Sequence, residues 1–285
     1  MRWAVAVGLF GILAAGLILI SFGPKEPGYN GRSLSSWLDE WGQSYNDPTN
    51  HAAIAIRAIG SNGVPILLAN LTNGVSSNDF QFWNVVGKAI PKEWSPLDRN
   101  RSRSVTAAHA INLVGVEAKS AFPTLTNLLT VRGHSLTAAI ALAGMGHEGV
   151  AVLLQAVTNQ DYVLRSSAVL ALGGVRSDFD KVVPALIEEL KHDEISLLRG
   201  VAAADLIELH KQPDLVVPAF SEFLASPDAS KRAWGATLLK GFGADAKAAI
   251  PLLLKARSDE DPDVRKAAEE ALVKIAPETE AKAGL

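Results

Sequence analysis

Four arginines, Arg165, Arg199, Arg232 and Arg265, recur 34, 33 and 33 residues apart, and Pro184, Pro218 and Pro251 each follow their arginine by 19 residues. Around them one phrase repeats: an acidic turn, a run of alanines and leucines, a second turn, then a proline heading another apolar row. A fixed period in the thirties constrains the fold strongly, because each unit can bury its apolar side only against its neighbours. The expected fold is all-α, an α-solenoid of stacked helix pairs.

The unit from Asp161 to Leu190 shows how. Asp161 is placed to cap a first helix by accepting from the free amides of its first turn. Val163, Leu164, Ala168, Leu170, Ala171 and Leu172 supply its apolar stripe, and the alanines favour both helix and close approach. Gly173 and Gly174 are expected to end it in the left-handed conformation. A second helix is expected from near Pro184, since proline lacks an amide that the first turn leaves unpaired anyway. Leu186, Ile187 and Leu190 then follow at helical spacing.

The stretch Asp261-Pro-Asp-Val-Arg265-Lys-Ala-Ala-Glu-Glu-Ala-Leu272 resembles the HEAT-repeat family, especially its short, phycobilisome-lyase-like subtype, and the resemblance covers most of residues 47–281. It implies that the arginine-bearing helices line a concave side and the proline-bearing helices lie outside. It implies no particular activity, since such arrays serve many unrelated roles. Tyr29-Asn-Gly-Arg-Ser-Leu-Ser-Ser-Trp-Leu38 is similar to the segment ahead of the array in some bacterial membrane-anchored members.

Trp3 to Phe22 carries no charge. Such a run can cross a hydrocarbon core of about 30 Å at about 1.5 Å per residue. Arg2 precedes it, which suits a signal-anchor with a cytoplasmic N-terminus. A cleaved signal peptide is the alternative, opposed by Pro24 directly after the small-residue site Ser21-Phe-Gly23. Either reading puts the repeats on the extracytoplasmic side, periplasmic or at the cell surface, and a cleaved signal would leave the protein secreted. Residues 1–23 are thus a signal-anchor or signal peptide, and 24–46 a linker and capping helix. In that helix Ser33 is the cap, and Leu34, Trp37, Leu38 and Trp41 form the buried row. The array occupies 47–281, with His51 in the arginine slot of its first unit and a polar tail at 282–285. Near 74–101 the rhythm breaks. The aromatic stretch there, with Phe80, Trp83 and Trp94, is either a degenerate repeat or an insertion, and its apolar residues are expected in the core.

Net charge is −3, with 27 basic and 30 acidic residues interspersed. No basic stripe is offered to nucleic acid. Without cysteine there are no disulfides or thiolate metal sites. Gly144-Met-Gly146-His-Glu-Gly149 spells a dinucleotide-binding fingerprint, but an alanine-rich helix precedes it where a strand is required. Six histidines are scattered without metal-ligand spacing, and Asp259-Glu-Asp-Pro-Asp263 lacks the glycine and distant glutamate of a calcium loop. No catalytic, cofactor-binding or metal residues are assigned. The arginines are expected to form a ladder with the acidic turns of their own or the next unit. Asn127, Gln155, Glu188, Glu222 and Lys255 form an outer, solvated stripe. Glu208, Lys240 and Lys266 are the candidate partner-binding residues on the concave side. The function that follows is a non-catalytic protein–protein interaction scaffold, membrane-bound through its N-terminal helix, with a protein or peptide partner. The alternatives are a bilin-lyase-like chromophore chaperone and a purely structural envelope protein.

Overall fold

The computed structural model describes residues 26–42, 49–72, 96–192 and 196–277. The apolar run Trp3–Phe22, the aromatic stretch with Phe80, Trp83 and Trp94, and the tail lie outside them. The first described feature is a small hairpin, where the sequence had suggested only a linker. Strands β1 (Gly28–Tyr29) and β2 (Arg32–Ser33) pair antiparallel around Asn30 and Gly31, whose φ values are 49° and 75°. Asn-Gly favours this two-residue turn because both of its central positions need positive φ. The hairpin leads into α1 (Leu34–Trp41), where the Ser33 hydroxyl accepts from the Ser36 amide as expected. Leu34, Trp37, Leu38 and Trp41 are all buried. Trp37 donates through Nε1 to the Tyr29 carbonyl at 3.1 Å, and the Arg32 guanidinium lies 3.7 Å above its ring. Both tryptophans are therefore core side chains that close the first unit.

Among the described residues six helix pairs and a final single helix follow: α2 (His51–Ile59) with α3 (Val64–Thr72), α4 (Pro96–Val114) with α5 (Phe122–Leu129), α6 (Ser135–Ala143) with α7 (Gly146–Val157), α8 (Tyr162–Leu172) with α9 (Phe179–His192), α10 (Ser196–Leu209) with α11 (Pro213–Glu222), α12 (Ala229–Phe242) with α13 (Ile250–Ala256), and α14 (Pro262–Ile275). Helix α4 takes in the last residues of the irregular stretch. First helices pack on first helices along the array, and each second helix packs beside its own or the following first helix. One continuous core runs from Leu34 to Ile275. Leu172, Leu206, Leu239 and Leu272, each seven residues after its arginine, are fully buried. Each contributes about 1.5–3 kcal/mol by burial, an upper bound because the unfolded chain already hides some of that surface. The stretch His51–Thr72 has the length and hydropathy to cross a membrane. It is two helices broken at Gly60, and its Ile56, Ile59, Leu67 and Leu71 are buried in this same core.

Each turn into a second helix contains a residue with positive φ: Gly60, Gly115, Gly146, Asp178, Gln212 and Gly243. Gly144 to Gly149 is thus one of these turns, as its alanine-rich lead-in implied. The left-handed stop expected at Gly173 is not there. Gly173 has φ −61°, Gly174 is not left-handed either, and Asp178 carries the positive φ of that turn. The prolines also divide into two kinds. Pro123 and Pro251 stand in the first turn of their helices, as expected. Helices α9 and α11 instead begin at Phe179 and Pro213, so Pro184 and Pro218 lie inside them. The cost is one unmade hydrogen bond, to the carbonyl of Asp180 or Asp214, and both are exposed residues that water can reach.

The caps and arginines form a repeating joint. Asp161, Asp228 and Asp261 each accept amide hydrogen bonds at the start of their helix. Arg165, Arg232 and Arg265 each donate to a carbonyl six residues back, those of Asn159, Ser226 and Asp259, at 2.8, 3.1 and 2.8 Å. The rungs thus bind the backbone of their own turn. Arg232 adds a two-pronged pair with Asp259 of the next unit, at 2.8 and 2.7 Å. Asn50 caps α2, and His51 is its exposed first residue, so His51 does not fill an arginine slot, which lies four residues after the cap. On α14, Glu269 stands where the inner units bury Val169, Ala203 and Ala236, and it faces solvent.

Candidate functional site: the concave face of the first helices

Glycine marks where neighbouring first helices meet at their C-terminal ends. A Cβ on Gly144 would lie 2.2 Å from the Asn112 carbonyl oxygen, and one on Gly173 would lie 2.3 Å from Asp205 Oδ1. One on Gly241 would lie 2.8 Å from Ile207. The approach is not confined to neighbours. Arg176, after α8, donates through Nη2 to Asn112 Oδ1 on α4 at 3.2 Å. A Cβ on Gly174 would come within 3.9 Å of Asn112 Nδ2. Arg176 also lies close enough to Arg57, on the last turn of α2, for their charges to repel. The first, second and fourth units therefore converge over the third. We take the arginine-bearing layer, whose helix ends are drawn together here, as the candidate concave side.

Equivalent positions on the open side of α2, α4, α6, α8, α10, α12 and α14 read Ile54, His109, Ile140, Leu170, Ala204, Thr237 and Glu270. The face thus passes from apolar through small to charged. Leu136 is exposed beside Ile140, and His109 is half-buried, with a pKa lowered by burial that favours the neutral imidazole.

Asn112 is held in one orientation because its Nδ2 donates to the Ile140 carbonyl at 2.8 Å, which leaves Oδ1 facing Arg176. Arg176 as a residue is exposed, yet its guanidinium is partly desolvated, and its pKa is lowered first by that and then by Arg57. Asp205 is 9% exposed, and its Oδ2 is buried without a hydrogen-bond partner. Its pKa is pushed up to about 7 by burial first and then by the nearby charge of Glu208, against a hydrogen bond from the Gly173 amide.

The three candidate residues all lie on first helices. Lys240 and Lys266 come together around Glu270: Lys240 Nζ donates to Glu270 Oε2 at 2.8 Å, and the Lys240 bond and charge, followed by that of Lys266, lower the Glu270 pKa. Glu208 stands apart from them, exposed beside Asp205 on α10. Arg57, Asn112, Arg176 and Asp205 had not been singled out. The signal for Asp205 was a carboxylate set in the small and apolar run Ala202-Ala-Ala-Asp205-Leu-Ile207, but nothing local marked the others. On the opposite face Asn127, Gln155, Glu188, Glu222 and Lys255 are exposed, with Glu222 paired to Lys191 at 2.6 Å.

Two histidines join the turns of successive units. His147 Nδ1 lies 2.7 Å from Asp178, and His210 Nε2 lies 2.9 Å from Asp245 with its ring stacked on Phe242 at 4.4 Å. Among the described residues no three histidine or carboxylate side chains converge as a metal site would require.

Solved structures with a similar course include two engineered proteins. They are 21% and 20% identical, with TM-scores of 0.40 and 0.37; the matches cover 75% and 85% of this chain and 96% and 68% of theirs. Human deoxyhypusine hydroxylase in complex with glycerol is 17% identical at a TM-score of 0.37, over 85% of this chain and 96% of its own. These likenesses are too loose to bear on function. No curated protein matches the chain. Residues 132–207 and 217–285 match HEAT repeats, just over half of the sequence. With its stacked helix pairs, cap aspartates and recurring arginines, the chain belongs to the HEAT-repeat family.

Proposed function

We propose that the array is a non-catalytic scaffold that holds a protein or peptide partner on its concave face. Protein binding is a common use of HEAT repeats, and the observation that carries the reading here is the convergence of the first, second and fourth units. It gathers side chains from distant parts of the chain onto one curved surface, with exposed Leu136 and Leu170 among them. A solenoid binds through such extended area. In this reading the candidate contacts are Glu208, Lys240 and Lys266, and the array stands outside the cytoplasm, held to the membrane by Trp3–Phe22.

Cross-linking in intact membranes followed by capture of the full chain tests the face. Glu208→Lys and Lys266→Glu are expected to reduce capture by roughly tenfold, as loss of a charge-assisted contact does. Lys240→Glu should do the same while also losing its pair with Glu270. Glu188→Lys and Lys255→Glu should leave capture unchanged. Loss through the outer stripe alone would move the site to the convex face. Location has its own test. The chain is expected to stay with membranes through an alkaline wash, and an intact mass showing a mature chain without Trp3–Phe22 would replace the anchor with a cleaved signal.

A further inference from the structure

The third unit breaks the arginine ladder. Leu142 is fully buried like Leu172, Leu206, Leu239 and Leu272, and the residue seven before it is Ser135. Ser135 is therefore the counterpart of Arg165, Arg199, Arg232 and Arg265. It is 4% exposed, and its Oγ donates to the Val131 carbonyl at 3.2 Å. So short a side chain does not fill the joint. A cavity of about 70 Å³ is lined by Leu129, Thr130 and Ser135, and by Asp161 and Val163 of the next unit. That volume would hold several waters, and so a small planar group. We infer that this cavity receives the guanidinium of an arginine carried by the partner, which completes the ladder from outside the chain. This deepens the scaffold reading and rests on it, since the guest belongs to the partner.

The lining repeats the surroundings of the arginines already in place. Arg232 donates to the carbonyls of Ser226 and Pro227, six and five residues before it. Arg265 does the same with Asp259 and Glu260. Leu129 and Thr130 stand at these same offsets from Ser135, at the end of α5, where a helix leaves its last carbonyls unpaired. Arg232 also takes a carboxylate of the next unit, that of Asp259, and here the next unit supplies Asp161. Asp161 caps α8 through Oδ1, and its second oxygen is not part of that cap. Ser135 Oγ has given its hydrogen to Val131 and can only accept. These groups are acceptors, and a guanidinium offers donors alone, in a planar fork. Arg132 is a cation on the same wall, but it is exposed, where water and salt screen its charge. Arg232 and Arg265 already stand on consecutive units, so neighbouring guanidiniums are compatible with this joint. Buried Leu129 and half-buried Leu164 offer an apolar wall to the methylene stem of the guest. Val163 is exposed, as are Val131, Leu136 and Tyr162 beside the lining residues in the chain. A small free guanidine leaves these uncovered, whereas an arginine with apolar neighbours covers them, as anchoring arginines at interfaces do.

The test uses the full chain and a short fluorescent peptide with one arginine between leucines, read by anisotropy. The peptide is expected to bind, and its counterpart with citrulline in place of arginine should bind about tenfold or more weakly. Equal binding of the two would overturn the proposal. Ser135→Arg writes the rung into the chain, and should abolish peptide binding while the thermal midpoint holds or rises. Binding retained in a folded Ser135→Arg variant would overturn the proposal. Asp161→Asn keeps the cap, since asparagine caps as well as aspartate. It should weaken the peptide by about tenfold, and unchanged binding there would count against the site in the same way. Arg132→Ala should leave binding equal or tighter, whereas its loss would mean that the cavity takes an anion. Displacement by arginine amide at the peptide's own concentration would assign a free small molecule and overturn the partner segment. If the peptide fails but membrane capture still depends on Glu208 and Lys266, this inference falls and the scaffold stands. If the peptide fails and capture depends only on the outer stripe, both fall.

Discussion

Asp205→Asn is expected to stabilise the protein at pH 8 by roughly 3–4 kcal/mol, and to remove most of the pH dependence between about pH 4 and 7. Asp205 titrates at about 7 in the folded chain against an ordinary 3.8, because burial and Glu208 both oppose its charge. The folded state therefore holds a proton that the unfolded state has already released. Stability from this group is complete below the unfolded value, declines as pH rises toward about 7, and is flat beyond. Asparagine keeps an acceptor for the Gly173 amide and has no charge to desolvate. Other carboxylates oppose this trend at lower pH. Asp178 is held low chiefly by hydrogen bonds from Ser177 and His147, and Asp259 by its bond from Arg232, so their contributions are lost as pH falls through those lowered values. The wild-type chain should be most stable in mildly acid solution. Urea midpoints measured from about pH 4 to about pH 8, which takes in both Asp205 values, check this, and a wild-type midpoint that does not move across the range would refute it.

Gly144→Ala should cost about 3 kcal/mol or more. The added carbon would lie 2.2, 2.5 and 2.7 Å from the oxygen, Cα and carbonyl carbon of Asn112. All three are backbone atoms, so no side chain can swing aside, and the end of α6 must lift from α4. Gly243→Ala is the control. That glycine has φ +59° and ψ −141°, backbone that glycine adopts almost alone, but nothing within 4 Å of its would-be Cβ, so only the backbone penalty of about 1–3 kcal/mol applies. Urea unfolding should rank Gly144→Ala above Gly243→Ala. Small-angle scattering should show a longer particle for Gly144→Ala, because displacing Asn112 also loosens the reach of Arg176.

Much of the fold was legible because its signals are local and repeated. Asp161 and Asp261 cap where an acidic residue precedes an apolar run. The hairpin was missed, although Asn30-Gly31 between Tyr29 and Arg32 is a strong turn signal, because the neighbouring prolines and glycines read as a linker. Other features had no local sign. Asp178 and Gln212 take positive φ without being glycine, so the turns they form look like ordinary polar linkers. Pro184 is compatible both with starting a helix and with sitting one turn inside it, and the choice depends on whether Phe179 to Val183 find a core to bury against. The candidate site was the least legible part. Arg176 and Asn112 are 64 residues apart, and their meeting depends on curvature summed over many close helix contacts.

That meeting also sets how the molecule yields under load. Units joined only to their nearest neighbours flex like links of a spring, with compliance shared evenly along the length. The link from Arg176 to Asn112 skips a unit, and so braces the amino-terminal part of the array into an arch. At the other end α12 and α14 pack more closely than any other pair of helices along the array. A partner gripping the amino-terminal part would thus meet units that the Arg176 link keeps from shifting independently.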